Sequence, residues 1–417
     1  MHKAPSVLAL IAATCLYGVP AGAETRSSLT LTGVESRVRE GNGEVRAALA
    51  RAKAARSTAA ASLAWPSPGL GVTYDGFPRP GLDLRDSDRK SLDLYLSVPF
   101  PGKTFLAWRT ASAEADQAGS EARSVVAEKV FMARQAYWDL VVAARSARVL
   151  ERAGDALAKL ADLSAKRNRF GQVGRTEQLM DPMARMERAA LKSRVLALAQ
   201  ERREAVAALN ELMGLPAEAE IGEPEEPDPS VDAELENPGW LVKSLDDSPA
   251  VAVALRDLKR VQARRDQALG GWLPDFMLQY SAAEMRDGTR AGMAMARVDI
   301  PLMWFWRPLN ENKAAAAEAG ASGESLAQAR LEVRSMAGVE IDRFRTARER
   351  LAIFRVEVLP DAEKALDLAV SGYQSGSIGP ADVLTAVRSY IDMNIEGLML
   401  SAKAGRSAAV LARLRGR

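Results

Sequence analysis

Two periodicities alternate along the chain. From Thr104 to Asn168 apolar side chains return every three or four residues: Trp108, Ala111, Ala115, Ala118, Ala122 and Val125, then, after a slip of one, Val126, Val130, Ala133, Tyr137, Leu140, Ala144 and Ala147. That spacing predicts one long helix, and its alanine-rich seam lets a neighbouring backbone come close. The slip is a local change of winding rather than an end. The stretch contains no proline, and at 1.5 Å per residue it would be a rod of about 98 Å. Elsewhere the period falls to two. Leu92, Leu94, Leu96 and Val98 alternate with Ser91, Asp93, Tyr95 and Ser97; Ala294, Ala296, Val298 and Ile300 alternate with Met295, Arg297 and Asp299. These stretches predict strands with one apolar and one polar face, near the length that a membrane-crossing strand needs.

The pattern then repeats. Gly171, Val173, Gly174, Glu177 and Leu179 map onto Gly376, Ile378, Gly379, Asp382 and Leu384 at one offset of 205. Trp65-Pro66 has a counterpart in Trp272-Leu273-Pro274, and Val98-Pro99 in Ile300-Pro301. The unit is too long for a solenoid repeat. Each copy reads helix, strand, strand, very long helix, turn, helix. A signal segment over 1–23 precedes a first repeat over 24–213, with helices expected over 33–63, 104–168 and 177–213 and strands near 70–77 and 91–98. A Pro- and acid-rich linker or irregular belt covers 214–247. The second repeat, 248–417, places helices over 249–270, 309–372 and 381–414 and strands near 276–282 and 291–300. Two short helices stacked end to end match one long rod in length, so they are expected to lie along it.

Charge and composition narrow the chemistry. The 56 Lys and Arg nearly cancel 54 Asp and Glu, which argues against a nucleic-acid partner. His2 and Lys3, the apolar run Val7–Tyr17 and the small residues Ala21-Gly22-Ala23 read in order as a secretory signal peptide cleaved before Glu24. Cys15 lies within the apolar run after Thr14, a poor setting for lipid attachment. Cleavage there removes His2 and Cys15, the only histidine and cysteine. The mature chain then has no disulfide, no His or Cys metal site and no Ser-His-Asp triad. No catalytic residue, cofactor or metal is expected, and the chain reads as a non-enzyme.

The strands set a further condition. Four strands cannot close a barrel around a channel, and open edges are not tolerated in lipid. Several copies must therefore pool their strands, unless the strands form a small soluble sheet capping a coiled coil.

The run Val98-Pro99-Phe100-Pro101-Gly102-Lys103 after a strand, the duplicated unit, and the turns Gln172-Val173-Gly174 and Ser377-Ile378-Gly379-Pro380-Ala381-Asp382-Val383-Leu384 resemble the TolC-type outer-membrane efflux channel family, closest to the branch accompanying heavy-metal resistance pumps. The resemblance implies a mostly α fold with membrane β: a homotrimer whose pooled strands, 12 in all, form a barrel in outer-membrane lipid above a long periplasmic α-helical barrel. It also implies a periplasmic adaptor and an inner-membrane efflux pump as partners, with this chain as the passive exit duct. Gly171, Val173, Gly174 and Glu177, and Gly376, Ile378 and Gly379, would form the periplasmic tip that meets the adaptor. Asp382 matches the first of two acids that ring the closed tip, and Thr385 holds the second acid's place. An acid at the first turn of a helix is also simply a favourable charge there. A periplasmic coiled-coil adaptor or scaffold is the alternative; it would carry one hairpin rather than two.

Two other signals are weak. Gly102-Lys103-Thr104 opens a helix after a strand, as a phosphate loop does, but Ser97 stands where the first glycine is needed and Pro99 and Pro101 remove N–H donors. Met180, Met183 and Met186 on one helix, with Met293, Met295 and Met303, offer thioethers to soft metals but suit packing as well.

Overall fold

The computed structural model describes residues 28–76, 84, 87–169, 175–228, 245–300 and 306–416. The expected signal segment lies outside the described residues. The chain forms α1 (Leu31–Gly41), α2 (Gly43–Ala61), β1 (Gly69–Asp75), β2 (Arg89–Pro99), α3 (Pro101–Arg169) and α4 (Arg175–Met213). The second unit follows as α5 (Pro249–Leu269), β3 (Asp275–Met285), β4 (Arg290–Asp299), α6 (Trp306–Ile353), α7 (Leu359–Ser375) and α8 (Pro380–Leu414).

The single helix expected over 33–63 is two. Asn42 divides them because its side chain serves both sides of the break. Its Oδ1 accepts from the Glu44 and Val45 N–H groups at 3.0 and 3.1 Å, capping α2. Its Nδ2 donates to the Leu212 carbonyl at 2.9 Å, tying that cap to the end of α4. The helix expected over 309–372 is interrupted too. A π-helical segment, Phe354–Val358, separates α6 from α7, and Pro360 sits in the first turn of α7. Proline cannot donate to the carbonyl four residues back, so the backbone re-registers around the gap.

Helices α2 and α4 both pack along α3, which packs on its other side against α5 and α8; α6 and α7 complete the layer beside α5 and α8. The short helices stack end to end along the long rod, as their lengths require. The two stacking points match. Gly214, at φ +73°, closes on Gly41 after α4, and Gly416, at φ +76°, closes on Asp247 and Pro249 after α8. The left-handed conformation turns the chain sharply at each point.

Because α3 lies between two rods, it is buried on two sides. The sequence seam Val130, Ala133, Tyr137 and Leu140 is buried, and so is a second line with Trp138 and Val141. The periodicity shows one stripe where the packing uses two.

The belt after α4 is ordered as far as the described residues go. Leu29 bridges Pro224 in parallel, with Leu29 N–H to Glu223 O at 2.9 Å and Glu225 N–H to Leu29 O at 3.0 Å. The Tyr137 hydroxyl lies 2.6 and 2.7 Å from the carbonyl oxygens of Leu29 and Glu225, so its one proton is shared by both passing strands. Burial pushes that phenol up to about 12.

Candidate functional site

The four strands form one antiparallel sheet in the order β1-β2-β3-β4. The central pair, β2 with β3, joins the two units from Arg89 opposite Met285 to Pro99 opposite Asp275. Among the described residues, the outer edges of β1 and β4 have no neighbour within the sheet.

Register sorts the side chains. Leu70, Leu94, Tyr280 and Ala294 stand in one row across the sheet, and Val72, Leu92, Ala282 and Gly292 in the next. Leu96, Leu278 and Ala296 continue this face, and Val98, Phe276 and Val298 end it. It is the apolar face, and it is the open one: Leu70 is 72% exposed, Val72 61% and Tyr280 55%. A sheet in water buries its apolar face; this one displays it.

The opposite face carries Thr73, Ser91, Asp93, Gln279, Ser281 and Arg297. Asp93 is only 2% exposed. Thr73 Oγ1 donates to Asp93 Oδ2 at 2.5 Å, Ser91 Oγ lies 3.3 and 3.4 Å from the two carboxylate oxygens, and Ser281 stands directly opposite on β3. The carboxylate therefore knits three strands together rather than standing free in a bore. Met293 and Met295 lie on this polar face; Met183 and Met186 are exposed on α4.

At the helical end of the sheet, Trp65, Phe105, Trp272 and Trp306 are exposed, and the Phe105 and Trp108 rings meet at a tilt of 39° with centroids 5.7 Å apart. Lys103, the lysine of the weak phosphate-loop signal, forms an ion pair with Asp275 at 2.7 Å and ties β3 to the start of α3. It is a structural fastening.

The far end of the second unit is a tight reversal. Gly376 adopts φ +83° after α7, Ser377 N–H reaches the Gly372 carbonyl at 2.9 Å, and Ile378 N–H the same oxygen at 3.2 Å. The turn folds the Ile378 side chain onto Gly372, where a Cβ would stand 2.5 Å from Ile378 Cδ1. Gly372 is thus part of the turn, which no spacing in the sequence announces. Gly379 precedes α8, Pro380 opens it, and the Asp382 carboxylate accepts from the Gly379 N–H at 3.3 Å. That is the acid's half of a capping box. Thr385 donates to the Ala381 carbonyl at 3.0 Å. Asp382 and Thr385 are exposed. One turn on, Arg388 meets Glu187 of α4 at 2.6 Å, which raises the guanidinium pKa through hydrogen bond and charge.

Gly171, Val173 and Gly174 lie outside the described residues. Glu177 is the third residue of α4, the backbone position that Asp382 holds in α8. Beneath the turn, Leu366, Tyr373, Val383, Val387 and Ile391 pack with Leu150, Leu157 and Leu160 of α3.

Residues 240–417 match the family model described as outer membrane efflux protein. The cobalt-zinc-cadmium resistance protein CzcC of Cupriavidus metallidurans is 27% identical over 180 residues, 43% of this chain and 43% of that protein. The match thus spans less than half the length of that relative. Among solved structures, the outer membrane protein VceC of Vibrio cholerae superposes with a TM-score of 0.74 at 18% identity, covering 93% of this chain and 96% of that one. CusC, a transmembrane channel-forming protein, does so with 0.77 at 16% identity, covering 96% and 95%. The chain shares the fold of these two proteins.

Proposed function

We propose that the chain is the outer-membrane channel of a tripartite efflux system, a passive exit duct served by an inner-membrane pump and a periplasmic adaptor. One observation carries the reading: a sheet whose apolar face is exposed, whose polar face is hydrogen-bonded inward and whose two edges are open, set on rods of up to 69 residues. Such a sheet is stable only where lipid covers the apolar face and further copies pair the edges. The exposed tryptophans at its helical end suit the membrane–water boundary. Three copies of four strands make a barrel wide enough for a water-filled lumen. The partial likeness to a cobalt-zinc-cadmium resistance protein favours divalent metal ions as cargo.

The outermost rods support pooling of copies. Leu331 on α6, Leu368 on α7, and Leu196 on α4 are 63%, 67% and 64% exposed. Chains placed head to tail in a ring would cover such residues. Leu368→Glu is expected to lower the yield of trimer on native gels, while Asp367→Ala, at the neighbouring exposed position, leaves it unchanged.

At the tip, three copies of Asp382 near one axis would form a carboxylate ring that narrows the bore and favours cations, with Thr385 one turn above. Planar-bilayer recording of purified protein tests both levels of the proposal. Wild type should conduct, Asp382→Ala should conduct more and select cations less, and Glu177→Ala should mainly weaken adaptor engagement. Absence of any conductance rejects the channel. Unchanged conductance and selectivity in Asp382→Ala leaves that acid as the helix-capping group its bond to Gly379 already makes it.

A further inference from the structure

The apolar face of the sheet closes differently at its two ends. Toward the helices it ends on Val98, Phe276 and Val298. Toward the β3–β4 turn, the row beyond Val72, Leu92, Ala282 and Gly292 is Tyr74, Lys90, Glu284 and Arg290. Side chains two residues apart on a strand share a face, so this charged row stands on the same side as the leucines. From Val98 to Lys90 is about 27 Å along β2. At the usual tilt of a membrane strand that is about 20 Å of height, against an apolar band about 25 Å tall. The row therefore lies at the outer margin of the face that the proposed function gives to lipid.

A trough of about 560 Å³ opens beneath it, lined by Lys90, Glu284 and Arg290 at its rim and by Tyr280, Ala282 and Gly292 below. Ala282 and Gly292 are small, which makes the hollow. The Tyr280 ring leans along β4 over Gly292, its hydroxyl 3.3 Å from where a Cβ there would stand. That O–H is thus carried toward the charged row. Among the described residues, Lys90 and Arg290 make no ion pair and the Tyr280 hydroxyl makes no hydrogen bond. The other charges at this end are engaged or turned away. Arg286 meets Asp88 at 3.6 Å, Asp287 accepts from the Thr289 N–H at 2.9 Å, and Arg89 and Asp75 belong to the opposite face. Cations at a membrane margin can reach up to water. The Tyr280 hydroxyl sits one row deeper, where lipid supplies the only partners.

The spacing selects the ligand. Lys90 on β2 and Arg290 on β4 are two strand spacings apart, about 10 Å, with the Glu284 carboxylate between them. A lone phosphate held by both cations would face that acid and be repelled. A head group with two separated phosphates and hydroxyls between them matches cation, acceptor and cation in order. We propose that the trough holds a bisphosphorylated glycolipid of the outer leaflet, its phosphates on Lys90 and Arg290, a sugar hydroxyl on Glu284, and an acyl chain laid over Ala282 and Gly292 with its ester carbonyl on the Tyr280 hydroxyl. The inference rests on the channel reading for the lipid that covers this face.

Native mass spectrometry of the purified full-length protein, released from detergent, tests it with bisphosphorylated lipid A as the probe. The wild type should hold lipid A about tenfold more tightly than lipid A stripped of its phosphates, or than phosphatidylglycerol. Excess inorganic phosphate should not displace it. Lys90→Gln/Arg290→Gln should weaken binding about tenfold and Tyr280→Phe roughly threefold. Arg297→Gln, on the polar face, should bind as the wild type does. Unchanged affinity in the double variant overturns the site. Equal binding of phosphatidylglycerol overturns the glycolipid, and displacement by inorganic phosphate reduces the row to an anion site and overturns it too. Should the double variant not fold, the lipid comparison on the wild type and Tyr280→Phe decide. Conductance in bilayers is read separately. A protein that conducts but holds no lipid A rejects the site and keeps the channel; one that holds lipid A but does not conduct rejects the channel and keeps the site.

Discussion

Leu94→Arg should abolish assembly of the protein in the outer membrane. Leu94 lies between Leu70 and Tyr280 in the middle row of the open apolar face and is 47% exposed. A cation on the lipid face costs about 2–4 kcal/mol at the midplane. Counted over the three copies of the proposed trimer, that is about 6–12 kcal/mol, comparable with the whole stability of a typical domain. Leu96→Arg on the same face should act similarly. Ser97→Arg, on the opposite face and exposed, should assemble normally. The readout is the amount of crosslinked trimer in outer-membrane fractions. Equal loss at Leu94 and Ser97 would mean that the faces are assigned wrongly. The alternation alone also offers Asp93 as a tolerant bore position, and there the structure disagrees. Asp93 is buried and bonded to Thr73, so Asp93→Arg would break a three-strand knot and is no neutral control.

Gly405→Ala should be strongly destabilising. A Cβ at Gly405 would lie 2.0 Å from the Trp138 ring, which is 2% exposed at the crossing of α3 and α8. Neither helix can yield easily: Trp138 sits in the central core with Val130, Leu140 and Leu209, and α8 is buried on both sides of Gly405 at Ala404 and Ser407. Overpacking of this kind costs about 1–3 kcal/mol and at times more. Thermal unfolding followed by circular dichroism should show a clear drop in Tm, and Trp138→Leu in the same chain should recover part of it. Gly320→Ala provides the opposite sign. It lies exposed within α6 with open space around it, and alanine there should stabilise by about 0.5–1 kcal/mol. If both alanines behaved alike, the close crossing of α3 and α8 would be wrong.

Much of the turn between α7 and α8 was legible and part was not. The glycine turn, the helix start to within one residue (Ala381 expected, Pro380 observed) and the first-turn acid were written in the residues themselves, because turns and caps are decided by a few adjacent side chains. Gly372 was not legible, since its need for a bare Cα comes from Ile378 folding back six residues on. Nor was the Arg388–Glu187 pair, whose members are 201 residues apart.

The same division holds for the whole chain. Sequence by itself determined the repeated order of helices and strands, the unbroken rod α3 and which faces of β2 and β4 are apolar. These are readings of period and of Gly and Pro punctuation, and both act within a few residues of the chain. Only the tertiary structure decided which faces of the rods meet and that α5 and α8 lie along α3. That choice buried α3 on two sides, set Gly214 and Gly416 at matching stacking points, drew Gly405 onto Trp138 and turned Asp93 from a bore residue into a knot. It also set Leu359, beside Pro360, against Gly397. Each is a contact between residues far apart in sequence, selected by burial after the local elements exist, and a pattern confined to neighbours along the chain carries no record of it.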